Sequence, residues 1–220
     1  MTGLDAVKGP VSPLALSQGD PAGIGPDIAL MAWTRRTESG VPAFLYLGDK
    51  TALAARALAL GLNAPLEDAT PETASAVFPR ALPVLDIPAA RGVAPGEPDS
   101  SNSAIAGQPD GAHAPHIIDW IKTGVDLCRS GQGRALITAP IAKSVLYATG
   151  FKFPGHTEYL ADLAADADGK APLPVMMIAS PLLRTVPVTI HIPLIRIAED
   201  LTEELIVEPW SPWGTSPMRL

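Results

Sequence analysis

Short apolar runs and helical stripes take turns along the chain. In "SPLALSQGDPAGIGPDIALMAW" (12–33) a short apolar strand leads into a loop holding Gly19, Gly23 and Gly25, and a helix is entered at Pro26, where proline's missing N–H costs nothing. "AFLYLGD" (43–49) is a second strand, and "KTALAARALALG" (50–61) is a run of strong helix formers that Gly61 would stop. Strand, helix, strand, helix predicts a parallel sheet and an α/β fold. "APHIIDWIKTGVDLCRSG" (114–131) puts Ile117, Ile121, Val125 and Cys128 on one stripe, with Gly131 just past the helix end. "RALITAP" (134–140) reads as the next buried strand, "IAKSVLYATG" (141–150) as helical, and the second half of "FKFPGHTEYLADLAADADG" (151–169) as helical again. "PVMMIAS" (174–180) and "RTVPVTIHIPL" (184–194) are expected as neighbouring strands of one sheet, followed by an amphipathic helix over "LIRIAEDLTEELI" (194–206) with Ile197, Leu201 and Leu205 at a spacing of four.

Two stretches have no period. "PAARGVAPGEPDSSNSAIAGQPDGA" (88–112) is dense in Pro, Gly, Ser and Asp and reads as a long excursion or a crossing between domains. "VEPWSPWGTSPMRL" (207–220) continues neither a helix nor a strand.

Composition narrows the class. The 220 residues are 47% hydrophobic and 18% charged, enough for a real core, and no apolar run reaches the roughly 18 residues of a membrane span. The N-terminus lacks a signal-peptide h-region, so a cytoplasmic protein with no membrane partner is expected. A net charge of −7 with scattered basic residues argues against nucleic acid. The 24 prolines, about twice the average share, stiffen the connections. The one cysteine, Cys128, can form no internal disulfide and reads as a small hydrophobe on its helix.

Four places could carry chemistry. "GDPAGIGPD" (19–27) follows a strand and opens a helix, where free N–H groups attract anions, but its glycines fit neither the dinucleotide nor the nucleotide-triphosphate pattern; a binding loop and a tightly packed turn both remain open. "TAPIAK" (138–143) ends a strand and presents Thr138 and Lys143, a lysine able to neutralise a phosphate or carboxylate or simply to cover a helix surface. In "PGHTEYLADL" (154–163), His156 and Thr157 stand at a helix start, where an imidazole, a hydroxyl and unpaired N–H groups could meet one anion; alternatively Thr157 is an N-cap against which His156 packs. His191 lies at a strand mouth, a place for a metal ligand or a general base, yet His113 and His116 stand at no metal-type spacing from it, and Glu199 and Asp200 read as a solvated helix face.

Taken together, "LSQGDPAGIGPDIAL", "ALITAPIAKSVLYATGFKFPGHTEYLADL" and "VPVTIHIPL", in this order and spacing, resemble the 4-hydroxythreonine-4-phosphate dehydrogenase family from about Pro13 to about Ile206. The resemblance implies an α/β/α architecture like that of isocitrate and isopropylmalate dehydrogenases, with two lobes, a cleft and a homodimer. The expected organisation is a partial dehydrogenase region over 1–206, crossing between lobes near 88–112, and an aperiodic tail over 207–220. The implied reaction is oxidation of 4-(phosphooxy)-threonine by NAD or NADP with loss of CO₂, giving an aminoacetone phosphate in vitamin B6 synthesis. A divalent metal (zinc, magnesium or cobalt) acts as Lewis acid in such a reaction. Related enzymes take four-carbon phosphorylated hydroxy acids such as phosphothreonate.

By the same resemblance His156 and Thr157 match the family's substrate-contacting pair and His191 the first of three metal histidines. No histidine follows His191, so the chain is expected to be an incomplete form, truncated or frameshifted after about Ile206, with exposed apolar surface and poor stability. A non-catalytic remnant that binds phosphorylated ligands or pairs with an intact homologue is the alternative.

Overall fold

The computed structural model describes residues 12–89, 104–153, 155–190 and 192–207. It forms two compact units, Met1–Gly155 and His156–Leu220. No helix among the described residues is long and apolar enough to cross a membrane.

The first unit alternates strand and helix: β1 (Leu14–Ser17), α1 (Gly25–Thr34), β2 (Phe44–Gly48), α2 (Lys50–Ala59), β3 (Leu66–Asp68), α3 (Pro71–Val77), β4 (Leu82–Asp86), α4 (Ala114–Arg129), β5 (Leu136–Thr138) and α5 (Lys143–Ala148). The five strands form one sheet in the order β3-β4-β2-β1-β5, and every pairing is parallel, as the alternation predicts. In register, Ala15 stands beside Leu45 on one side and Leu136 on the other.

Side chains on β2 leave the sheet alternately on its two faces, and both faces are covered. Phe44 and Tyr46 meet Ala29, Leu30 and Trp33 of α1 and Leu53 and Ala57 of α2. Leu45 and Leu47 pack in a second cluster with Ala74 and Val77 of α3 and Leu127 of α4. That is why "FLYLG" is an unbroken apolar run rather than an alternating one. The two core indoles keep their N–H groups bonded: Trp33 Nε1 donates to Phe78 O and Trp120 Nε1 to Ile87 O, both at 2.9 Å.

Several expectations change. Periodicity singles out no element between Gly61 and Pro88, yet β3, α3 and β4 lie there; three residues are too few to show a period, and β4 carries Pro83. β5 is an edge strand instead of a buried one, with Ile137 43% exposed, because among the described residues β1 is its only neighbour in the sheet. Most of the 88–112 excursion and most of the 207–220 tail lie outside the described residues.

In the second unit, α6 (His156–Leu163) matches the expected helix. β6 (Ile178–Ala179) and β7 (Arg184–Thr185) do pair, but antiparallel and as a two-stranded sheet of their own. The single helix expected over 194–206 is broken into a 3-10 turn (Leu194–Arg196), α7 (Ile197–Asp200) and α8 (Glu203–Val207). Leu201 turns extended, and Thr202 Oγ1 accepts the Leu205 N–H at 3.3 Å, starting a new helix where the old one would have run on. None of the three pieces has a buried residue, so the apolar stripe has no core to hold it in one length.

Candidate functional site

The carboxyl ends of parallel strands are where such sheets bind ligands, above all where neighbouring strands send their chains in opposite directions. β1 and β5 are neighbours at this end of the sheet: β1 continues to β2 on one side, and β5, reached by the crossing from β4, lies on its other side. The loops that follow these two strands touch. Asp20 donates its N–H to Pro140 O at 3.0 Å, and Gly19 turns with φ +73°, where a Cβ would stand 2.5 Å from that same oxygen.

The glycine-rich loop between β1 and α1 is heavily bonded. Asp20 Oδ1 accepts the Ala22 N–H at 2.8 Å, and the Gly23 N–H reaches Asp20 O at 2.9 Å. Gln18, fully buried, offers its Oε1 to the Asp49 N–H at 2.7 Å. Asp49 in turn caps α2 through the Ala52 N–H at 2.8 Å and takes the Ala89 N–H at 3.0 Å. From α2, Arg56 pairs with Asp27 at 2.6 Å and donates to Pro21 O at 2.9 Å and Gly23 O at 3.3 Å. Ser17 Oγ, Gln18 Nε2, Asp20 Oδ2 and His113 Nδ1 are buried with no hydrogen-bond partner among the described residues. Sequence reasoning missed Gln18, Asp49 and Arg56. Asp49 had a readable signal, an aspartate between a strand and a helix; Gln18 and Arg56 had none, since their partners lie far away in the chain.

Lys143 opens α5 in the first unit and is exposed; Thr138 ends β5, half-buried. His156 is the first residue of α6 in the second unit, so Thr157 sits inside the first turn rather than at the capping position. His156 is half-buried and Thr157 exposed. An apolar cleft of about 270 Å³ runs past Thr157 and Glu158, walled by Leu173, Met176, Val186 and Val188.

His191 lies outside the described residues. Among the described residues no three His, Cys, Asp or Glu side chains gather to hold a metal ion. Glu199 and Asp200 are both paired with Arg196, at 3.1 and 2.7 Å, as a solvated face should be. His113 is buried at the start of α4, and His116 lies beside the Trp120 ring. Cys128 is half-buried, and desolvation pushes its thiol above the ordinary range, in keeping with a packing role.

Residues 41–211 match the family described as pyridoxal phosphate biosynthetic protein PdxA. The chain belongs to this family. Among PdxA relatives, 4-hydroxythreonine-4-phosphate dehydrogenase of Methylorubrum extorquens is 51% identical over 194 residues, 88% of this chain and 53% of that protein. The protein of the same name from Xanthobacter autotrophicus is 49% identical over 197 residues, again 53% of its length. A crystal structure of a 4-hydroxythreonine-4-phosphate dehydrogenase from Burkholderia phymatum superimposes with a TM-score of 0.74 at 25% identity, covering 92% of this chain and 57% of that one. This PdxA chain thus spans about half the length of the curated relatives it matches.

Proposed function

We propose that the protein carrying this chain oxidises the 3-hydroxyl of 4-(phosphooxy)-threonine with NAD or NADP and releases CO₂, forming an aminoacetone phosphate for vitamin B6 synthesis. The observation that carries this reading is the 51% identity, sustained over 88% of the chain, to a protein named for that dehydrogenase activity. The two compact units are read as portions of two lobes, and the assembly as a cytoplasmic homodimer without nucleic-acid or membrane partners. A net charge of −7 supports the exclusion of nucleic acid.

In this reading the phosphorylated end of the substrate is held at the start of α6. The first-turn N–H groups of a helix have no partners within it and carry partial positive charge, so they attract phosphate oxygens. The Thr157 hydroxyl and a His156 ring N–H add donors there. Separately, in the first unit, the Lys143 ammonium is read as a contact for an anionic group of the substrate. Bound NAD or NADP would supply the acceptor for the hydride that leaves the carbinol carbon. The hydroxyl proton passes to solvent, and the β-keto acid so formed loses CO₂. A divalent metal (zinc, magnesium or cobalt) belongs to the reading through His191. The described residues offer no three-donor cluster to receive it.

The test is turnover by the complete gene product with 4-(phosphooxy)-L-threonine, NAD⁺ or NADP⁺, and each divalent metal in turn. NAD(P)H and CO₂ should form in equal amounts. His156→Ala and Thr157→Ala should each raise KM by about 10- to 100-fold, the worth of one hydrogen bond to a charged group. No turnover under any combination would overturn the reading. Tight binding without turnover would instead favour a non-catalytic binder of phosphorylated ligands, and phosphothreonate as the better substrate would move the specificity.

A further inference from the structure

The loop between β1 and α1 is braced on two sides. On one side, Arg56 spans Pro21 O, Gly23 O and the Asp27 carboxylate at 2.9, 3.3 and 2.6 Å. On the other, the loop lies against the turn that follows β5. Besides the Asp20 to Pro140 hydrogen bond, a Cβ at Gly19 would come within 2.9 Å of Ala139 Cβ, and one at Gly25 within 3.0 Å. Ala139 is buried there, and Lys143 follows four residues later at the start of α5.

Much of the loop's backbone is turned to internal use, although Asp20 Oδ2 is buried with no partner among the described residues. Arg56 takes the carbonyls of Pro21 and Gly23, the Gly107 N–H takes the Ala22 carbonyl at 2.8 Å, and Asp20 holds the Ala22 N–H. Asp20 and Asp27 would also repel an anion. Its glycines serve close contact with a second loop.

We infer that the glycine-rich loop is a seat that positions the 139–143 turn, and through it Lys143, with Arg56 as the positioning residue that keeps the seat in shape. The role of Lys143 in this inference rests on the proposed reading of that side chain as a substrate contact. A guanidinium suits the task because its planar fork spreads the donors over two nitrogens, Nη1 serving Gly23 O and Asp27 and Nη2 serving Pro21 O, whereas an ammonium's three donors all leave one atom.

The test compares Arg56→Met, Arg56→Lys, Lys143→Met and the Arg56→Met/Lys143→Met double variant in the complete gene product, with Arg80→Met as control. Arg80 is an exposed arginine paired with Glu67, just before β4 begins. Amide exchange over 139–145 reads the seat directly. Arg56→Met should speed it on the order of tenfold, the effect of about one lost hydrogen bond, while Arg80→Met leaves it unchanged. KM for 4-(phosphooxy)-threonine should rise on the order of tenfold in Arg56→Met with kcat changed less than about twofold, and Arg56→Lys should fall between. In the Lys143→Met background the Arg56 effect on KM should disappear, since the two act through one contact.

Unchanged exchange in a folded Arg56→Met protein would overturn the inference, as would an Arg56 effect on KM that persists at full size without Lys143. Should Arg56→Met fail to fold, Asp27→Asn weakens the same brace and must shift exchange in the same direction. If Lys143→Met leaves KM unchanged, the reading of Lys143 fails, and the exchange experiment still decides whether the loop is a seat.

Discussion

Tyr46 sits in the middle of β2, fully buried, and its hydroxyl has no hydrogen-bond partner among the described residues. Burial, and then the nearby Asp49, raise its pKa well above 10.0. An unfolded tyrosine ionises near pH 10, so above that pH the unfolded chain loses its proton while the folded one keeps it. The stability tied to this proton is therefore complete below about pH 10 and falls as pH rises beyond it. Tyr46→Phe should change stability at pH 7 by less than about 1 kcal/mol, since no hydrogen bond is lost. The same variant should flatten the alkaline decline. Urea unfolding of both proteins at pH 7 and above pH 10 checks this, and an identical alkaline slope in the two would contradict it. Asp49 predicts the opposite kind of result. Asp49→Ala removes the α2 cap and the tie to Ala89, and should cost about 2 kcal/mol, measured as a shift of the urea midpoint at pH 7.

Helices of similar apolar pattern differ in what their stripes do. On α4 the stripe is anchored: Ile117, Trp120, Ile121 and Val125 are all buried, and the helix packs against β1 and its neighbours β2 and β5. Along 194–207 the stripe has no buried residue: Leu201 and Leu205 are 43% and 39% exposed, Leu205 lining the edge of the apolar cleft, and Leu194 and Ile195 are each 84% exposed. Ile121→Ala should therefore cost about 2–5 kcal/mol, whereas Leu194→Ala should stay within about 0.5 kcal/mol. Thermal unfolding followed by circular dichroism separates the two, and equal losses would mean that the second stripe has a core after all. The α4 stripe was legible because four apolar residues repeat at helical spacing and Gly131 marks the end. The break at Leu201 was not legible, because the same spacing is compatible with one helix or two when the deciding quantity is tertiary contact.

Across the whole molecule, apolar exposure is marked in the second unit, where Leu182, Leu183, Leu194 and Ile195 face solvent. Replacing Leu182 and Leu194 by Ser should lower concentration-dependent self-association of this chain in sedimentation velocity without lowering its melting temperature, since neither side chain is packed. A fall in melting temperature would show that they are. The covered sheet of the first unit gives no such expectation, apart from the short β5 edge with Ile137.

By itself the amino-acid sequence determined the α/β class, the parallel sheet and the positions of α1, α2, α4 and α6, because run length, helical spacing and Gly or Pro punctuation are local properties, while three motif blocks in order carried the resemblance to the family. Tertiary structure alone decided the strand order β3-β4-β2-β1-β5, the edge position of β5, and the part played by Gln18, Asp49 and Arg56 around the glycine-rich loop. Each of those depends on partners 29 to 40 residues away or on a strand's neighbours in the sheet, and no local window of sequence holds that information.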